Sequence, residues 1–183
     1  MPTIRDRETR FTVPDGEVFI HLAGRPDLVW DMAGASQQAG GRALLWQRHG
    51  GANQRWRVTT FFDQEDNPYT WFRITNVHSG MALVHREADN AFVQQPAGQP
   101  LSDEGWAQCW AMGHPGFAGS SYDPSKPSQP HPTGSDGIRV RFKGNYKSGG
   151  VVTIAAPEAS GTHLSSTENW ADFETGWRFV AAS

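Results

Sequence analysis

The sequence predicts an all-β protein built from three copies of one four-stranded unit. Three observations carry that reading. Short alternating apolar segments recur along the chain, Gly- and Pro-containing turns separate them, and one order of features closes on a tryptophan three times. Helical periodicity is nearly absent, because no window of helical length keeps an i, i+3, i+4, i+7 apolar stripe free of Gly or Pro.

The alternating segments are Val18–Leu22, Ala43–Trp46, Arg55–Thr59, Trp71–Ile74, Met81–Val84, Ile138–Phe142, Val151–Ile154 and Trp177–Val180. Between them stand Pro14-Asp15-Gly16, Gly40-Gly41, Gly50-Gly51, Asp66-Asn67-Pro68, Ser79-Gly80 and Gly149-Gly150. Such dipeptides supply the backbone conformations that tight turns require. The 20 glycines and 12 prolines in 183 residues fit many turns joining short strands. The closing tryptophans fall at Trp56, Trp110 and Trp177. The predicted repeats span about 17–66, 67–113 and 138–183, after an N-terminal arm of residues 1–16, within one domain of 17–183. Residues 113–137 are too rich in Pro and Gly for a ladder strand and read as one long surface loop.

Composition narrows the function. Lys plus Arg number 16 against 19 Asp plus Glu, a formal charge of −3. That balance gives no electrostatic footprint for nucleic acid and no polybasic face for lipid, and no apolar run is long enough to insert in a membrane. The charged N-terminus lacks the apolar core of a secretory leader, and the one cysteine, Cys109, has no partner for an intrachain disulfide. The expected location is therefore cytoplasmic. HExxH, CxxC, GxSxG, Walker A and GxGxxG patterns are all missing, and the seven histidines are scattered. The expectation is a protein with no enzymatic activity, no cofactor and no metal. Cys109 reads as a buried, inert thiol.

Two elements, Asn53-Gln54-Arg55-Trp56 and Gln108-Cys109-Trp110, resemble the QxW motif of the ricin-B-type lectins. Ile74-Thr75-Asn76-Val77-His78-Ser79-Gly80 resembles the repeat opening of fungal members of that family. The resemblance covers roughly residues 17–181 and implies a β-trefoil, with six strands in a barrel and six in hairpins capping one end. It also implies carbohydrate binding in shallow pockets, and the chain looks most like the small cytosolic lectins of fungi. Trp56, Trp110 and Trp177 would be core anchors, and Gln54 and Gln108 would bond backbone in the turns. The third copy has Thr175 in place of the motif's Gln.

Carried over by residue, the resemblance implies a sugar site at Asp31, Trp46 and Asn53 in the first repeat, with Gly34 in the loop beyond Asp31. The chemistry is sound by itself. A pyranose has hydroxyls around its rim and an apolar face of C–H bonds. A carboxylate accepts two hydroxyl protons, an amide both donates and accepts, and an indole face stacks on the C–H patch. The continuous C–H face of galactose and N-acetylgalactosamine suits a stacked Trp best. Leu44 stands where the family often has Gln, so Gln47, Arg48 and His49 are candidates to take over that polar duty. The second repeat has Val84, Gln95 and Ala107 at the corresponding places, and the third has Thr153, His163 and Glu174. One competent site is therefore expected. The expected partners are glycans of glycoproteins or glycolipids, with a homodimer as a further expectation, since crosslinking with one site per chain needs two chains. The alternative of another class is a β-trefoil protease inhibitor acting through loop 113–137.

Overall fold

The computed structural model describes residues 4–5, 12–14, 16–62, 71–100, 102–113, 139–142, 150–154, 159–167 and 176–182. The proline-rich stretch 114–137 lies outside them. A two-stranded hairpin of β1 (Ile4–Arg5) and β2 (Thr12–Val13) precedes the main sheet. The first repeat then supplies β3 (Glu17–Leu22), β4 (Arg25–Met32), β5 (Ala43–Gln47) and β6 (Trp56–Phe62). The second supplies β7 (Trp71–Asn76), β8 (Ala82–Arg86), β9 (Ala91–Gln95) and β10 (Trp110–Gly113). The third supplies β11 (Arg139–Phe142), β12 (Gly150–Ile154), β13 (Leu164–Thr167) and β14 (Trp177–Ala181).

The first and last strands of each repeat form a nearly closed antiparallel ring. β14 pairs with β3, β3 with β6, β6 with β7, β7 with β10 and β10 with β11. The middle strands pair as hairpins: β4 with β5, β8 with β9 and β12 with β13. Ring closure removes most exposed edges, which is how short strands of this kind avoid pairing with other chains.

The core shows why the tryptophans recur. Trp56, Trp110 and Trp177 are fully buried, and each indole N–H donates to a backbone carbonyl: that of Trp30 at 3.1 Å, Leu83 at 3.0 Å and Val152 at 3.1 Å. One bond made three times aligns the repeats, so Asp31, Val84 and Thr153 occupy equivalent positions. Trp30 adds edge-on contacts to Trp56 and Trp177, with centroids 6.2 and 5.2 Å apart. Such pairs contribute about 0.5–1.5 kcal/mol beyond area burial. Gln108 bonds backbone as expected: its amide donates to the Pro96 carbonyl at 2.8 Å and its oxygen accepts from the Gly98 N–H at 3.0 Å. The sequence reading did not foresee the short helix α1 (Asp103–Ala107), which is too brief to show periodicity. It is started by Ser102, whose hydroxyl accepts from the Gly105 N–H. Cys109 is buried beside it, with its Sγ 3.5 Å from the Gly105 carbonyl.

Candidate functional site

The β4–β5 hairpin and the loop after it bring four of the expected residues together. Asp31 lies in the buried end of β4 opposite Leu44 of β5, and Val29 stands opposite Trp46. Because cross-strand partners and i, i+2 neighbours share a face, Asp31 and Trp46 look the same way. β5 then gives way to the turn 48–51 and the single 3-10 turn Ala52–Gln54, which returns Asn53 and Gln54 to Asp31.

Gln54 is the hub of the cluster. Its oxygen accepts from the His49 and Gly50 N–H groups at 2.8 and 3.1 Å. Its amide donates to Asp31 Oδ2 and to the Gln47 carbonyl, both at 2.9 Å. All four of its hydrogen-bonding positions are filled, as a fully buried amide requires. The motif glutamine therefore bonds backbone and also aims the carboxylate.

Asp31 is only 4% exposed. Its Oδ2 accepts from Gln54 and, at 3.0 Å, from Asn53 Nδ2, and His49 Nε2 lies 3.4 Å away. The three contacts fall on one oxygen and leave Oδ1 outside the cluster. Burial pushes the Asp31 carboxyl above the usual carboxylate range, while the Gln54 hydrogen bond, the charge of His49 and the Asn53 hydrogen bond pull the other way. The Gly51 N–H donates to His49 Nδ1 at 3.1 Å. In the neutral ring the proton therefore sits on Nε2, the nitrogen facing Asp31. Asn53 Nδ2 is committed to Asp31 and, more weakly, to the Met32 carbonyl at 3.4 Å. Among the described residues no donor reaches Asn53 Oδ1.

Trp46 is the large hydrophobic side chain left exposed among the described residues, at 45%. A second chain segment fixes its strand. The Gly161 N–H donates to the Leu45 carbonyl at 2.7 Å, the Leu45 N–H to the Thr162 carbonyl at 2.8 Å, and the Gln47 N–H to Ser160 Oγ at 3.1 Å. A Cβ at Gly161 would stand 3.6 Å from Trp46 Cζ3, so this third-repeat turn floors the indole.

Gln47, Gly34 and Arg48 stand apart from the cluster. Gln47 joins it through its main-chain carbonyl, while strand alternation sends its side chain away from the Trp46 face. Gly34 occupies the exposed turn Ala33–Ala35 with φ of +61°, and nothing lies within 4 Å of where its Cβ would be. Arg48 turns to Phe19 instead. Of the three residues expected to replace the missing Gln at position 44, His49 is the one that faces Asp31.

Sequence reasoning missed Gly51, Ser160 and Gly161. A Cβ at Gly51 would sit 2.7 Å from both Asn53 Oδ1 and His49 Cε1, so only glycine lets the two side chains converge. Its signal was the Gly50-Gly51 pair, legible as a turn but not as part of the site. Among the described residues no group of three or more His, Cys, Asp or Glu could hold a metal ion, and no helix is long and apolar enough to cross a membrane.

The equivalent positions elsewhere differ. Val84 lies in a small apolar cluster with Ala91 and Val93, and Thr153 offers a hydroxyl in place of a carboxylate.

The threefold ring with its hairpins decides the architecture. The fold is a β-trefoil. A designed threefold-symmetric protein, ThreeFoil, superposes with a TM-score of 0.63 at 19% identity, covering 91% of this chain and 99% of that one. The Rhizoctonia solani agglutinin gives 0.59 at 15% identity over 93% and 97% of the two chains. The β-trefoil lectin of the Vibrio vulnificus hemolysin/cytolysin, solved with N-acetyl-D-lactosamine bound, gives 0.52 at 20% identity over 90% and 93%. Residues 8–96 match the profile of the ricin-type beta-trefoil lectin domain-like family. The matched stretch contains the whole Asp31 cluster. No curated protein sequence matches the chain.

Proposed function

We propose that this β-trefoil is a lectin that binds one galactose- or N-acetylgalactosamine-type residue in the first repeat. The observation that carries the reading is the pairing of a buried carboxylate, anchored by Oδ2 alone, with an exposed indole on the same face. Asp31 Oδ1 and Asn53 Oδ1 are acceptors placed for sugar hydroxyls, and Trp46 offers the stacking face. These groups are positioned by the protein before a sugar arrives, which lowers the ordering cost of binding. The match to the ricin-type profile over the same residues supports the reading, and N-acetyl-D-lactosamine in the Vibrio relative makes a galactose-containing sugar the first ligand to try.

Calorimetry with N-acetylgalactosamine, lactose and glucose tests it. The expected result is binding of the first two with one sugar per chain and weak or no binding of glucose. Asp31→Asn and Trp46→Ala should each lose about 2 kcal/mol, roughly 30-fold in affinity, and stay folded. Full affinity in both variants would place the site elsewhere. A stoichiometry of two or three would contradict the single site.

A further inference from the structure

On the other side of the His49–Gly50 turn lies an open cleft of about 400 Å3, lined by Phe19, Arg48, His49, Gly50, Arg55 and Ala182. His49 is common to both places, with its Nε2 toward Asp31 and its ring at the cleft wall. The cleft and the Asp31 cluster thus share His49 as a common wall.

Its chemistry is cationic. The Arg48 guanidinium lies over the Phe19 ring, 4.1 Å from the centroid. Among the described residues no carboxylate pairs with it and no acceptor takes its N–H groups. A guanidinium held by its face keeps a planar fork of donors at its edge, the shape that suits a carboxylate or a sulfate. Arg55 is anchored by two bonds to the Gly50 carbonyl, from Nε at 3.1 Å and Nη2 at 2.9 Å, and its Nη1 lies 3.4 Å from Glu17 Oε2. Glu17 also takes Arg57 at 2.9 Å. Among the described residues, one carboxylate thus faces two arginines while Arg48 has none. This edge carries an excess of positive charge on a chain whose formal charge is −3.

We infer that the cleft is a subsite for the anionic group of an acidic glycan, a carboxylate on the sugar next to the one in the Asp31 pocket or a sulfate ester on the pocket sugar itself. The inference rests on the lectin reading above. Arg48 supplies the fork, Arg55 a second positive charge fixed on Gly50, and His49 the ridge that the glycan crosses.

The test is calorimetry at neutral pH with lactose, 3′-sialyllactose and 3′-sulfolactose on the wild type, Arg48→Gln and Arg48→Lys. At least one acidic sugar should bind about tenfold more tightly than lactose, and added salt should erode the advantage. Arg48→Gln should abolish the advantage while leaving lactose affinity unchanged, which also shows that the variant is folded. Arg48→Lys should keep part of it. The sugar that gains identifies whether the cleft takes a carboxylate or a sulfate. Lactose binding with no preference for either acidic form overturns the subsite and leaves the pocket standing, as does an advantage that survives Arg48→Gln. Failure of all three sugars to bind overturns both.

Discussion

The first and second repeats share a scaffold and spend their polar groups differently. Each closes on a buried Trp that donates to the second strand of its own repeat, and each motif glutamine bonds backbone in its turn. In the first repeat the residue after that acceptor is Asp31, surrounded by groups that still have an atom to offer. In the second it is Val84, and the polar capacity has moved to Gln94. That side chain accepts from Ser79 Oγ at 2.6 Å and donates to the Ser36 and Gln38 carbonyls at 2.9 and 2.8 Å. Ser36 and Gln38 belong to the first repeat's own hairpin turn. The second repeat thus braces the β4–β5 connection, while the third braces β5 through Ser160 and Gly161. The first repeat keeps acceptors open beside Asp31, and groups of the other two hold its hairpin in place. Threefold symmetry survives in the core, where packing demands it, and is lost at the rim.

The largest effect should be the one that treats the repeats alike. Trp56→Ala and Trp110→Ala each remove a fully buried indole and leave a carbonyl without its donor. Each should cost about 3–5 kcal/mol in denaturant unfolding. A much smaller cost for one would mean that the core symmetry is only apparent.

The next test separates the repeats by pH. Burial holds Asp31 above the usual value near 3.9. If Asp31 accepts sugar hydroxyls as proposed, binding needs the ionised form, so affinity should fall with acidification earlier than an ordinary aspartate would dictate. Removing His49 by His49→Gln should move that loss to still higher pH, because its charge favours the carboxylate. Stability runs the other way. A carboxyl whose folded pKa is raised contributes stability that is fully present below its unfolded pKa and is lost as pH rises through the folded value. Asp31→Asn should therefore melt at or above the wild-type temperature at pH 7, with the gap narrowing as pH falls. An affinity profile flat down to pH 4 would show that Asp31 does not bind the sugar.

Much of this comparison was legible in the sequence because its causes are local or periodic. Alternation marks the strands, and the three closing tryptophans mark the repeats because each fills the same core niche. Asp31, Trp46, His49 and Asn53 lie within one hairpin and its exit turn, so their order carried their proximity. Arg48 was legible as polar, but its side chain follows Phe19, a contact from the turn to β3 that no spacing announces. Gly51 was visible as half of a turn, yet its role depends on where two neighbouring side chains converge. The partners that brace β5 were least legible. Ser160 is 113 residues from Gln47, and a serine and a glycine in a turn carry no sign of what rests against them.

That brace gives the smallest predicted effect and the sharpest comparison, because it lies in one repeat and is read in another. Ser160→Ala removes the acceptor of the Gln47 N–H at the exposed end of β5, where water can replace it. The stability cost should be about 0.5–1 kcal/mol. Gly161 has φ of +92°, a conformation that a side chain resists, so Gly161→Ala should cost about 1 kcal/mol more in strain than an ordinary surface change. Its new methyl would meet the Trp46 ring at 3.6 Å, in ordinary contact, so the indole need not leave its place. Sugar affinity should therefore fall only two- to threefold or so in either variant, a few tenths of a kcal/mol. Gly161→Leu extends the side chain into the space the indole uses, and should lower affinity further than Gly161→Ala while Trp56 and the core stay as they are. Tryptophan fluorescence with and without lactose reads both effects, since Trp46 is the exposed indole among the described residues. If Gly161→Leu left sugar affinity at the wild-type value, the third repeat would not be holding the Trp46 face, and the first repeat would be building its site alone.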